Sequence, residues 1–151
     1  MSDKIDLEKK TSYLFDCNFF DDSFDPEDHE EHLACAEKLF DTYAFGDIFN
    51  EWNSYLHNHC KTAEEVINFC NLFSYYGGQD YPIPDAYDFV GYIYSVVDIS
   101  KCWDEAGDFL DGFCTSILEK SGEISLVKDP YYQSWKDPKV LASVERIKSQ
   151  S

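Results

Sequence analysis

Helical periodicity, broken by helix start and stop signals, is the feature of this sequence that most restricts its fold. Six segments place apolar side chains three and four positions apart, which is the spacing of one face of an α-helix. The most regular segment spans residues 100–121, with apolar positions from Trp103 to Leu118, and it ends at Gly122. Because each amphipathic segment must pack its apolar face against another element, the pattern predicts a helical protein.

Local sequence signals mark where these helices begin. The pairs Asp25-Pro26 and Asp137-Pro138 are typical of an N-cap followed by proline at the first helical position. Residues 62–65 match a capping box, and Asp85 stands where it could cap a further helix. With Gly46 closing the first segment, we expect helices over about 25–46, 47–60, 62–76, 85–97, 100–121 and 137–147.

The resulting prediction is an all-α protein, a compact antiparallel bundle of about five to six helices, because the connections are short. Residues 25–122 would form an acidic helical core, and residues 123–151 a C-terminal turn and helix packed on it. Residues 1–24 are ambiguous, since the aromatic stretch 11–20 could be a short strand or irregular. An extended piece within 123–136 is also expected, so a small β element near either terminus stays open.

Cellular location is predicted from what the chain lacks. Residues 1–10 contain no apolar stretch of the kind found in signal peptides, and no apolar run reaches the ~18–20 residues of a membrane span. We therefore expect a cytoplasmic protein without a membrane partner. In that setting the six cysteines are predicted to be reduced thiols: Cys17, Cys35, Cys60, Cys70, Cys102 and Cys114.

The distribution of charge is the second informative feature. The chain has 30 Asp and Glu against 12 Lys and Arg, for a net charge of −18. The excess lies in residues 11–119, which hold 23 acids and three lysines, and not in a tail. A surface so poor in cations argues against direct binding of nucleic acid or anionic membrane. It predicts a basic protein as the partner, although a solvated surface is an alternative explanation.

Two helical rows of acids are the predicted contact residues. The first acidic row is Glu27, Glu30, Glu37 and Asp41; the second acidic row is Asp104, Glu105, Asp108 and Asp111. Carboxylates three or four residues apart on a helix lie ~5–6 Å from each other, close to the spacing of phosphates on a DNA strand. A domain ~40 Å across spans duplex DNA carrying ~24 charges, similar to the number of acids in the middle segment.

In size and composition the chain resembles the small acidic antirestriction and anti-CRISPR inhibitors of phages and plasmids. The resemblance is one of type and has no motif behind it. It implies a non-enzymatic inhibitor that mimics nucleic acid and occludes the basic channel of a nuclease, restriction enzyme or CRISPR effector. Three alternatives stay open: an immunity protein or antitoxin against a basic toxin nuclease, an acidic adaptor domain, and an enzyme built from separated Cys, His and carboxylates.

A loop rich in tyrosine and glycine, which we call the tyrosine loop (residues 75–81), is the other predicted contact element. Its aromatic residues are Tyr75, Tyr76 and Tyr81. Tyrosine gives a large contact area at a small cost in conformational entropy, although packing at the edge of the core is the alternative.

Catalytic and metal motifs are missing from the sequence. His57 and His59 would point ~200° apart on a helix, so they cannot share one metal ion without unwinding. His29 and His32 have a spacing that could hold a metal, but solvated residues at a helix start explain them better. We therefore expect no metal, no cofactor and no catalytic residues.

Overall fold

Helices make up nearly all of the regular structure. The computed structural model describes residues 2–17, 26–98 and 105–150, and within these ranges the chain contains no strand. Two short 3-10 turns lie at Gly78–Asp80 and Ser134–Lys136. The helices of the described ranges are α1 (Ser2–Phe15), α2 (Pro26–Thr42), α3 (Phe45–His59), α4 (Ala63–Tyr75), α5 (Ala86–Val96), α6 (Glu105–Lys120) and α7 (Pro138–Ser149). The all-α prediction is confirmed, with seven helices in these ranges against the five or six expected.

The additional helix is α1, at the N-terminal segment that the sequence left ambiguous. Its buried side chains follow helical spacing: Leu7, Thr11, Leu14 and Phe15. Thr11 interrupts the apolar stripe, but its hydroxyl donates a hydrogen bond to the carbonyl of Leu7 at 2.8 Å and is therefore satisfied inside the core. The strand alternative is wrong up to Phe15, and residues 18–20 lie outside the described part of the chain.

Three of the sequence signals act as predicted. Thr62 and Glu65 form a complete capping box, with side-chain to backbone bonds of 3.3 and 3.1 Å in the two directions. The Asp137 carboxylate accepts a hydrogen bond from the backbone N–H of Lys139 at 2.9 Å, at the start of α7. Gly122, two residues after the end of α6, takes a φ of +78°, a conformation in which glycine terminates helices at little cost.

Three other signals act differently. Helix α2 ends at Thr42, and Gly46 lies in the first turn of α3. The extended backbone of Ala44 separates the two helices. Asp85 does precede α5, but it adopts a left-handed φ of 53° and its side chain makes no capping hydrogen bond. The extended piece expected within 123–136 is replaced by turns and the 3-10 turn at Ser134–Lys136.

The core is aromatic and extends from α1 to α7. Trp52 of α3 is fully buried at its centre. The rings of Phe15 and Phe73 meet it edge-on, with centroids 5.1 and 5.5 Å away. Edge-to-face contacts of this kind add to the stability that burial alone provides. Of the helices described, none combines the length and apolar character needed to cross a bilayer.

Helices α5 and α7 form the most extensive helix–helix contact in the described part of the chain. A Cβ atom on Gly91 of α5 would lie 2.6 Å from the Cβ of Ser143 of α7, so glycine permits the close approach. Arg146 on α7 forms an ion pair with Asp88 on α5 at the edge of this contact. The basic C-terminal helix α7 thus packs directly on α5, within the segment 25–122 that the sequence predicts as the acidic core.

Candidate functional site: an acidic aromatic surface

Three members of the first acidic row lie on the solvent side of α2. Glu30, Glu37 and Asp41 are all exposed. Glu27 lies in the first turn of the same helix, and its side chain is outside the described part of the structure. Helix α2 carries six acids and a single lysine, Lys38, so little on the helix itself neutralises this charge.

The second acidic row is divided between different environments. Asp104 lies outside the described residues, whereas Glu105 and Asp108 are exposed on α6. Asp111 is partly buried, and its Oδ1 accepts hydrogen bonds from the backbone N–H and the hydroxyl of Ser134 at 3.1 and 3.0 Å. Asp111 therefore differs from its exposed neighbours in the row: its carboxylate ties the 3-10 turn at Ser134–Lys136 to α6.

The two rows sit in different parts of the packing. Helix α2 packs against α1 and α3, whereas α6 packs against α4 and α5. The two rows therefore belong to helices with different packing partners.

The three tyrosines of the tyrosine loop differ in exposure. Tyr76 is buried, and its hydroxyl donates a hydrogen bond to the carbonyl of Leu14 at 2.6 Å, which fastens α1 to the end of α4. Tyr75 is half-buried and meets the ring of Tyr76 edge-on at 5.7 Å. Tyr81 alone among the three is exposed, with 37% of its surface accessible. Core-edge packing thus explains Tyr76, and Tyr81 is the member available to a partner.

Tyr81 stacks on two phenylalanines that the sequence alone did not assign to a site. Its ring lies 4.5 Å from that of Phe45 and 5.1 Å from that of Phe40, at interplanar angles of 15° and 28°. Phe40 is part of the first-row helix and directly precedes Asp41. The structure thereby brings one end of the first acidic row to the tyrosine loop. We call this region the acidic aromatic surface; it consists of Glu37, Phe40, Asp41, Phe45, Asp80 and Tyr81.

Two glycines and a buried anchor hold the loop that presents Tyr81. Gly77 has a φ of +85°, and a Cβ on Gly78 would lie 2.6 Å from the ring of the fully buried Phe73. Beyond Tyr81, the side chain of Ile83 is buried and its backbone N–H donates to the hydroxyl of Ser121 at 2.9 Å. The loop is tied to the core on both sides of Tyr81, so a partner would meet a preorganised ring.

The histidines have separate surroundings. His57 is half-buried against Tyr92, with ring centroids 4.1 Å apart, while His59 is exposed beside Tyr55. Burial lowers the pKa of His57, partly offset by the negative charge of Asp88. His32 is buried and stacked on Tyr13 at 4.4 Å, so the prediction of a solvated residue is wrong there; the side chain of His29 is outside the described part.

Candidate reactive groups are few where the structure is described. No group of three or more His, Cys, Asp or Glu side chains there could hold a metal ion. Burial raises the pKa of Cys60 and of Cys114 to about 12, and that of Cys70 well above its ordinary value, so these thiols stay protonated near neutral pH. Cys17 and Cys35 form no disulfide within the described residues, and Cys102 lies outside them.

A small cleft of about 290 Å³ lies between the end of α1, α3 and α4. Its wall includes the Tyr55 hydroxyl, which donates to Asp16 Oδ1 at 2.5 Å; the carbonyl oxygen of Phe15 lies 3.1 Å from the same hydroxyl. These contacts join α1 to α3, and Glu65, another lining residue, is engaged in the capping box of α4. We take the acidic aromatic surface as the candidate site because it combines exposed carboxylates with an exposed aromatic ring. Comparison with known proteins yields no relative: the chain matches no family model, no curated protein and no solved structure.

Proposed function

We propose that this protein is a small, acidic, non-enzymatic inhibitor that occupies the basic nucleic-acid channel of a nuclease or nucleic-acid-guided effector. The observation that carries the proposal is the first acidic row. It presents exposed carboxylates along one helix with a single lysine among six acids. Fixed anions on a folded surface keep their separations, as the phosphates of a duplex do.

The geometry of α2 defines what the partner would contact. Glu30 and Glu37 are two turns apart, about 10 Å along the helix axis, and Asp41 follows after a further ~6 Å. Arginine and lysine side chains that line a nucleic-acid channel would bind these carboxylates in place of phosphates. Because the protein as a whole carries −18, long-range attraction would also speed the encounter. Inhibition then follows from occupancy alone and needs no catalytic group.

Specific capture followed by competition tests this proposal. The immobilised protein should retain a nuclease or other nucleic-acid-binding protein from an extract of its host, and added duplex DNA or RNA should release it. A variant with Glu30→Lys, Glu37→Lys and Asp41→Lys should lose most of this capture, because the mimicking anions become cations.

A matched control distinguishes the effect of the first acidic row from the effect of net charge. Glu123, Asp129 and Glu145 are exposed acids outside both rows, and reversing all three changes the total charge by the same amount. This control variant should capture the nuclease nearly as well as the wild type. Retention of the partner in the presence of excess nucleic acid, or equal loss in both triple variants, would contradict mimicry by the first acidic row.

A further inference from the structure

Tyr81 stacks on Phe40 and Phe45 and keeps 37% of its surface accessible. Two rings centred over opposite faces of Tyr81 would have centroids about 10 Å apart, which is the sum of the two stacking distances of 4.5 and 5.1 Å. The centroids of Phe40 and Phe45 are 6.1 Å apart, so these two rings do not sandwich the tyrosine between them. We take the face of Tyr81 turned away from the two phenylalanines as its open face.

The surroundings of that open face select among possible partners. Asp41 follows Phe40 in the chain and Asp80 precedes Tyr81, and both carboxylates are exposed. A nucleic-acid base could stack on tyrosine, but the phosphates of the nucleic acid would be repelled by these acids and by the charge of the whole chain. A cation with a planar, delocalised charge fits both features, because it can stack on the ring and pair with a carboxylate.

We propose that the acidic aromatic surface binds an arginine side chain of its protein partner in preference to lysine. The guanidinium stacks on the open face of Tyr81, and Asp41 and Asp80 are the anions that pair with it. Lysine could pair with the same carboxylates, but its compact ammonium gains less from an aromatic face than the planar guanidinium does. This inference rests on the proposed function of the same surface and adds the chemistry of the contact.

The loop geometry gives Tyr81 a fixed place at the edge of the core. The two rings on which it stacks, Phe40 and Phe45, are partly buried, and Gly78 in the same loop packs against buried Phe73. The ring of Tyr81 projects from a segment anchored on both sides, so little conformational entropy is lost when a partner stacks on it. Such rigid aromatic groups are frequent among the residues that dominate binding energy at interfaces.

Two fluorescent peptides of equal length, an oligoarginine and an oligolysine, test the preference by anisotropy titration at low salt. We expect the wild type to bind oligoarginine at least roughly threefold more tightly than oligolysine. Tyr81→Leu, which keeps apolar packing on Phe40 and Phe45 but has no π face, should bring the two affinities close together. Tyr81→Phe should keep the preference. Tyr131, which is 90% exposed and lies outside the surface, supplies the control Tyr131→Leu, which should also keep it.

The possible failures are distinguishable. Equal affinities in the wild type, or a preference that survives Tyr81→Leu, would overturn the arginine inference and leave the proposed function standing. Failure of the wild type to bind either peptide would overturn both, since a surface that attracts a basic partner must bind simple polycations at low salt.

Discussion

Replacement of Asp111 by alanine should destabilise the protein far more than replacement of Asp108 one turn earlier. Both are acids on α6, but Asp108 is exposed, whereas Asp111 accepts two hydrogen bonds from Ser134. The hydroxyl of Ser134 would keep its bond of 2.6 Å to Tyr94, so the main loss falls on its backbone N–H. Ser134 is fully buried, and that N–H would be left without its carboxylate acceptor.

The magnitude follows from the kind of bond. A hydrogen bond to a charged acceptor contributes about 1.5–3 kcal/mol, and a buried donor left unpaired costs a similar amount. We expect Asp111→Ala to lower the free energy of unfolding by about 2–3 kcal/mol, which for a domain of this size lowers Tm by roughly 4–12 °C. Asp108→Ala should stay within about 0.5 kcal/mol of the wild type. Asp111→Asn, which keeps an acceptor oxygen, should fall between the two.

Urea unfolding followed by circular dichroism at helical wavelengths gives the three free energies, and thermal melts give the Tm values. An unchanged dependence on urea would show that the variants differ in stability and not in the extent of unfolding. If Asp111→Ala and Asp108→Ala were equally stable, the anchoring role of Asp111 would be refuted. Asp111 would then belong with the solvated acids of the second row.

Three further predictions concern the loop, one histidine and the thiols. Gly78→Ala should cost about 1–3 kcal/mol of stability in urea unfolding, because its Cβ would meet the buried ring of Phe73; a wild-type midpoint would show that the loop moves freely. By NMR, His57 should titrate at lower pH in the folded than in the urea-unfolded protein, since burial lowers its pKa. Between the folded and unfolded pKa values of His57, the unfolded state binds more protons, so the contribution of His57 to stability is present above the unfolded pKa of about 6.5 and is lost as pH falls through this window. The variant His57→Gln should remove that part of the pH dependence of stability. Identical titration midpoints for His57 in the folded and unfolded protein would contradict this prediction. A thiol reagent should label the buried cysteines Cys60, Cys70 and Cys114 only when the protein unfolds. Rapid labelling of these three in the native protein would argue against their burial.

Local signals in the sequence were sufficient to place most helices. The capping box at Thr62 and the Asp-Pro start at Asp137 act through atoms within three residues of each other, so a single sequence reveals them. Helix α1 was not predicted because the polar residue Thr11 occupies a core position. The hydrogen bond that satisfies its hydroxyl forms only once the helix has formed. Asp85 shows the converse, since a typical capping residue stands at a helix start without making the cap.

The candidate site was predictable only in part, because its decisive contacts are distant along the chain. The exposure of Glu37 and Asp41 follows from their place opposite the apolar stripe of α2. The bond between Asp111 and Ser134 joins residues 23 positions apart, and no local pattern indicates it. The stacking of Tyr81 on Phe40 likewise joins separate elements, so sequence could name the tyrosine and the acids but not their meeting point.

The most direct test of the central claim measures inhibition of the captured nuclease across a salt series. The wild type is compared with two variants whose net charge changes by the same amount. The first-row variant reverses the charge of Glu30, Glu37 and Asp41. The control variant reverses that of Glu123, Asp129 and Glu145. We expect the first-row variant to inhibit at least ~10-fold less well, a loss of ~1.4 kcal/mol or more, and the control variant to stay close to the wild type. Association of the wild type should also slow as salt rises, because exposed charges are screened beyond ~10 Å at 0.1 M. Equal inhibition by all three proteins, or equal losses in both variants, would contradict recognition through the first acidic row.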